Sequence, residues 1–185
     1  WHYIADAIEN NDCKLIVVDP NKNTIGQKAD LFVSLQPGTD AALALGLAKI
    51  IEEEGKTDDA FMQQKSCAPF LVKESDGRFL RKSDLEEGVA ADADDFAVWD
   101  EATNALGYAS TAQNPVLRKK GIEIAGQRCN TATACSSTVS TSYSLLIDRI
   151  NEYPIEMVSE VTTVPEETIR TFADLLCRPG MADIF

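Results

Sequence analysis

The sequence predicts an α/β fold: a Rossmann-like segment of parallel sheet, a hairpin-rich insertion and C-terminal helices. Three observations carry that expectation. Two short apolar runs, Lys14-Leu15-Ile16-Val17-Val18 and Leu31-Phe32-Val33-Ser34-Leu35, have the length and β-branched content of buried strands. The second run leads into an almost unbroken helical pattern from Ala41 to Ile51. Between about residues 67 and 131 the pattern changes to short apolar runs around turn residues, Asp76-Gly77 foremost.

Residues 1–66 read as helix, strand, short connection, strand, helix, helix. Trp1 to Ile8 already lie in a helical pattern running toward a strand, so the chain is expected to start inside a larger domain. The 12 residues from Asp19 to Asp30 are enough for a crossover between parallel strands without a full helix. Thr39 or Asp40 is the expected N-cap of the long helix and Gly55 its stop. Apolar around nearly its whole circumference through Ala48, that helix needs cover on several sides. A second helix over 58–64 follows, with Thr57 as cap.

In the insertion, 67–131, the runs 69–73 and 78–81 flank the Asp76-Gly77 turn, and residues 96–100 and 121–125 read as further short strands. In the last stretch, 132–185, the chain reads as helical from about Ser137. Tyr143, Leu146, Ile147 and Ile150 make one apolar face; Ile169, Phe172, Ala173 and Leu176 make another. Thr163-Val164-Pro165-Glu166 reads as a capping box with Pro in the first turn, and residues 178–185 as the approach to a further strand.

Composition removes several function classes. With 185 residues and 44% apolar content the chain can bury a core. A formal charge of -13 opposes nucleic-acid binding, which needs clustered Lys and Arg. The acidic stretch Asp84, Glu86, Glu87, Asp92, Asp94, Asp95, Asp100, Glu101 lacks calcium-loop spacing and reads as a solvated loop. Cys13, Cys67, Cys129, Cys135 and Cys177 form no C-x-x-C pair, which leaves mostly structural thiols; Cys13 and Cys177 fall in apolar-patterned segments. The sole histidine, His2, lies at the start, so a Ser-His-Asp or Cys-His mechanism is not expected. The longest apolar-rich stretch, 41–51, is too short to span a bilayer.

Two strand ends hold the candidate site. Asp19 closes the first strand and leads into Pro20, Asn21, Lys22 and Asn23; Gln36 and Pro37 lead from the second into Gly38, Thr39 and Asp40. Ligands of open α/β sheets bind at the carboxyl ends of strands. A carboxylate accepts two hydrogen bonds side by side, and guanine presents two adjacent donors, so Asp40 is a candidate guanine reader. Helix capping by Asp40 and a plain turn at Asp19 explain the same pattern without a ligand.

In order and spacing, Lys14 to Pro20, Ala29-Asp30, Pro37 to Gly46, Ile50 to Gly55 and the later segment 152–170 resemble molybdopterin oxidoreductases of the dimethyl sulfoxide reductase family. These stretches cover roughly half of the chain. The resemblance implies a Rossmann-like part of a large catalytic subunit whose cofactor is molybdenum or tungsten held by two pterin-guanine dinucleotides, that is, molybdenum bis(molybdopterin guanine dinucleotide). It implies that Asp19, Pro20, Asn21, Lys22, Asn23, Gly38, Thr39 and Asp40 contact one dinucleotide. The metal ligand and the cysteines of a 4Fe-4S cluster are implied to lie upstream. Implied partners are the rest of the catalytic polypeptide, a small-molecule substrate and an iron-sulfur electron-transfer subunit. One departure is visible: the family usually has Arg after Asp-Pro, whereas this chain has Asn21 and then Lys22, whose ammonium cannot make a guanidinium's fork. The middle stretch looks like an insertion in subunits related to acetylene hydratase and catechol dehydroxylases. A free-standing Rossmann-type nucleotide-binding or interaction module is the alternative; it lacks a G-x-G-x-x-G loop, Gly26 being isolated.

Overall fold

The computed structural model describes residues 2–128 and 134–178, without side chains at 125–128 and 134–137. In chain order the elements are α1 (His2–Asn11), β1 (Ile16–Val18), β2 (Leu31–Val33), α2 (Asp40–Glu53), α3 (Asp59–Lys65), β3 (Leu71–Lys73), α4 (Lys82–Leu85), β4 (Ala97–Asp100), β5 (Ala105–Tyr108), β6 (Ile122–Arg128), β7 (Ala134–Thr141), α5 (Ser142–Asn151), α6 (Ile155–Thr162) and α7 (Glu166–Leu176). They fall into two compact units, residues 1–57 with 150–185, and residues 58–149.

In the first unit β1 and β2 pair in parallel, Ile16 opposite Leu31 and Val18 opposite Val33. Their connection holds a single 3-10 turn, Gly26–Lys28, so the predicted short crossover suffices. The expected parallel sheet is present as this pair alone; every other strand pairing among the described residues is antiparallel. The architecture is therefore mixed α/β with small sheets.

Packing explains the helices. Leu43, Gly46, Leu47 and Ile50 form a buried stripe on α2, which meets Val158 of α6 and Ile169 and Ala173 of α7 in a core with Val33, Leu35 and Val164. The cover does not extend all round α2: Ala41 and Ala44 are exposed and Leu45 is half-buried. Helix α2 stops as its sequence predicts. Gly55 takes φ +63°, its N–H bonds Glu52 O, and the Lys56 N–H bonds Ile51 O, which together cap the last carbonyls.

The second unit is antiparallel. Strands run β3-β7-β6 in one sheet, and β4 pairs with β5. The Asp76-Gly77 signal holds: Gly77 has φ +69°, and the Lys73 N–H donates to Arg78 O at 2.8 Å. Leu71, Leu80, Ala97, Ile122, Ile124 and Val139 make the core.

Four local expectations are corrected. Residues 138–141, read as helix, are strand, because Val139 and Thr141 pair with β3 and are buried. Leu146, assigned to a core face of α5, is 42% exposed. The cap of α3 is Asp58 rather than Thr57, its carboxylate accepting from the Phe61 N–H. Thr163 is not part of a capping box: it sits at φ +61° as the C-cap of α6, while α7 starts after Pro165 with no side-chain cap bond. No helix among the described residues is long and apolar enough to cross a membrane. Cys129 and residues 179–185, where a further strand was expected to begin, lie outside the described residues.

Candidate functional site

The parallel register of β1 and β2 brings both predicted loops to one edge. The Asp19 N–H donates to Val33 O at 3.1 Å, so Asp19 leaves β1 beside the end of β2. From there the first loop folds onto itself. Asp19 Oδ1 accepts from the Asn21 N–H at 2.7 Å, and Oδ2 from Asn23 Nδ2 at 3.3 Å. Asn23 Oδ1 accepts from the Ile25 and Gly26 N–H groups, each at 3.0 Å. Pro20 O accepts from the Ser34 hydroxyl at 3.3 Å. Such turns let Asp and Asn side chains replace backbone partners. Asp19 and Asn23 thus shape the loop, while Lys22 extends from it over the Phe32 ring, 5.4 Å from its centre.

The second loop is built differently. Gln36 N–H bonds Thr162 O at 2.8 Å, which ties the strand end to the end of α6. Pro37 and Gly38 then make a turn closed by the Thr39 N–H on Gln36 O at 3.2 Å. Gly38 takes φ +85°, a conformation that favours glycine, and a Cβ placed there would meet nothing within 4 Å. The side of the turn facing outward is therefore open. Thr39 is the N-cap residue by position, yet its hydroxyl donates back to Gln36 O at 2.6 Å instead of capping. Its carbonyl accepts the Ala42 and Leu43 N–H groups.

That leaves Asp40 at the first helical position, exposed, with no hydrogen bond or ion pair to its carboxylate among the described residues. Nor do the Asp40 and Ala41 N–H groups have a partner among them. An acceptor carboxylate and two donors consequently share the start of α2, where the helix dipole favours negative charge. The sequence reading located this loop but missed Phe32 and Gly26, which carry no motif; their relevance comes from the strand register.

Two other features do not join this edge. A cavity of about 280 Å³ is lined by Gly46, Lys49, Ile50, Glu53, Pro154, Ile155, Glu156 and Arg170, along the C-terminal half of α2. The acidic stretch, read as solvated loop, is instead structural at several positions. Asp94 accepts from the Ser83 N–H and hydroxyl, Asp95 from Ser110 and Phe96, and the buried Asp100 from Ala102, Gln113 and Asn114. Burial pushes the Asp100 carboxyl up, but those three backbone donors more than reverse it and hold it below the usual carboxylate range.

Comparison with known proteins places the chain. No family model matches it. It is 29% identical over 182 residues to the inferred catalytic subunit of dimethyl sulfoxide reductase from Halobacterium salinarum, covering 98% of this chain and 20% of that protein. It is 31% identical over 177 residues to the alpha subunit of the respiratory nitrate reductase from Haloferax mediterranei, covering 88% of this chain and 18% of that one. Among solved structures, acetylene hydratase from Pelobacter acetylenicus is similar at 20% identity and TM-score 0.49, over 95% of this chain and 14% of that chain. Both relatives are subunits of reductases. These similarities support a likeness to the molybdopterin oxidoreductases of the dimethyl sulfoxide reductase family, and the chain spans about a fifth of the length of these two relatives.

Proposed function

We propose that the chain serves within the catalytic subunit of a molybdenum or tungsten oxidoreductase and forms part of the pocket for the guanosine end of one pterin-guanine dinucleotide. The observation that carries the reading is the unengaged Asp40 carboxylate, set beside two unbonded helix N–H groups at the carboxyl edge of a parallel strand pair. The residues fit such a group. A carboxylate takes the two adjacent donors of guanine, the open face at Gly38 allows close approach to the backbone, and the first N–H groups of α2 can donate to an anionic or carbonyl oxygen. Asp19 and Asn23 hold the facing loop, and Lys22 gives it a positive charge.

In this reading β1 and β2 belong to a larger Rossmann-like sheet. When bound, the cofactor supplies the redox chemistry: the enzyme moves electrons, usually with an oxygen atom or hydroxyl group, between a small substrate and the metal. This segment supplies binding and orientation. Two dinucleotides on the metal, a 4Fe-4S cluster and an iron-sulfur partner subunit complete the proposal.

The test replaces Asp40 in the catalytic subunit that carries this segment. Asp40→Asn keeps size but sets a donor against a donor, so cofactor affinity should fall about ten- to a hundredfold, the equivalent of a charged hydrogen bond of about 1.5 to 3 kcal/mol. Asp40→Ser should act likewise. Pterin and metal content are the readouts, with melting of the cofactor-free protein as control. Full cofactor content in both variants, with stability alone reduced, makes Asp40 a helix residue and removes the proposal.

A further inference from the structure

Lys22 differs from most of the chain's lysines. Lys14, Lys49, Lys56, Lys73, Lys82 and Lys120 each pair with a carboxylate, whereas the described partner of the Lys22 ammonium is the Phe32 ring. Asp19, at the start of its own loop, is already engaged by the Asn21 and Asn23 donors. A ring face attracts an ammonium without neutralising it and takes no place in N–H···O bonding, so the three N–H donors remain for a ligand.

The ring itself is fixed from two directions. Phe32 is the central residue of β2, opposite Val17. A Cβ on the buried Gly26 would lie 2.8 and 2.9 Å from two of its ring carbons and 3.5 Å from Lys22 Cγ. Ring, lysine stem and glycine backbone therefore pack as one unit at the carboxyl edge of the strand pair.

We propose that Phe32 is a positioning residue that holds the Lys22 ammonium at this edge to receive a phosphate group of the bound nucleotide, and that Gly26 is glycine to leave the ring its place. The inference rests on the nucleotide reading of the same edge. It assigns the anionic part of the ligand to the first loop and the base to the second.

The test titrates the chain with guanosine 5′-diphosphate and with guanosine. The native chain should prefer the diphosphate. Lys22→Met should remove that preference, by about tenfold, as expected for a lost charged hydrogen bond. Phe32→Leu should reduce it about two- to fivefold, the contribution of an exposed cation-π contact. The double variant should be no weaker than Lys22→Met, because Phe32 acts through the lysine, and Phe32→Tyr should retain the preference. Equal loss of guanosine and diphosphate binding in Phe32→Leu would show a structural role and overturn the inference, as would additive losses in the double variant. A native chain that binds both ligands equally also overturns it while leaving the base site standing. Binding of neither ligand removes both proposals.

Discussion

The two units of this chain differ in how fully their loop and helix-start aspartates are engaged. In residues 58–149, Asp58, Asp76, Asp84, Asp94, Asp95 and Asp100 all accept backbone N–H groups, most of them from the loops they hold together. In the other unit Asp19 and Asp30 also accept backbone N–H groups, but Asp40 does not, although it stands at a helix start where capping is common. Thr39 occupies the cap position, and its hydroxyl is turned back to Gln36. Acid density along the sequence therefore marks structure here, and a single acid outside the dense stretch marks the candidate site. A carboxylate that satisfies a loop already has its partners; one left without partners at a strand edge is available to a ligand.

The comparison also separates how the units fail. The largest effect is expected where the first unit is tightest: a Cβ on Gly46 would lie 2.9 Å from both Val158 methyl groups. Gly46→Ala should overpack the contact of α2 with α6 and cost about 1 to 3 kcal/mol, more than the helix propensity of alanine returns. Hydrogen exchange should show the loss in residues 40–53 and 155–176. An unchanged or raised melting temperature would mean that α2 and α6 are not locked at this glycine.

Acid should act on the other unit. The Ser83 N–H holds the Asp94 carboxyl low, the Arg78 N–H does the same for Asp76, and at Asp95 and Asp100 hydrogen bonds outweigh the upward push of burial. A carboxyl with a lowered folded-state pKa contributes stability that is present above its unfolded value and disappears as pH falls through the folded one. Protection of residues 58–149 should therefore decline below about pH 4. Asp100→Asn should flatten part of that decline while lowering stability at neutral pH. Equal acid sensitivity in native protein and variant would show that the Asp100 turn does not depend on charge.

Much of the first unit was legible because its signals are local. Apolar runs at 14–18 and 31–35 marked the strands, a near-continuous apolar helix marked α2, and Gly55 marked its end. In the second unit the Asp76-Gly77 turn was local and was found. Strand β5, with Ala105 and Gly107 among its four residues, carries weak β preference and exists because β4 lies beside it. Strand β7 reads ambiguously for a similar reason: Val72 pairs with Ser140, far along the chain. The bonds from Ser83 to Asp94 and from Gln113 and Asn114 to Asp100 span 11 to 14 residues, so no spacing rule reveals them. At the site, the residue types at 19–23 and 38–40 were legible, whereas the difference between an engaged Asp19 and an unengaged Asp40 depends on how each loop closes.

The contrast between those two aspartates comes down to one measurement, equilibrium binding of guanosine 5′-monophosphate against inosine 5′-monophosphate, which lacks the second donor beside the ring N–H. The native chain should bind the guanine nucleotide about tenfold more tightly, the lower end of the range for one charged hydrogen bond, and Asp40→Asn should erase that preference with a stability change within about 0.5 kcal/mol. Equal binding of the two nucleotides by the native chain, or a preference that survives in Asp40→Asn, would contradict the assignment of this strand edge to guanine.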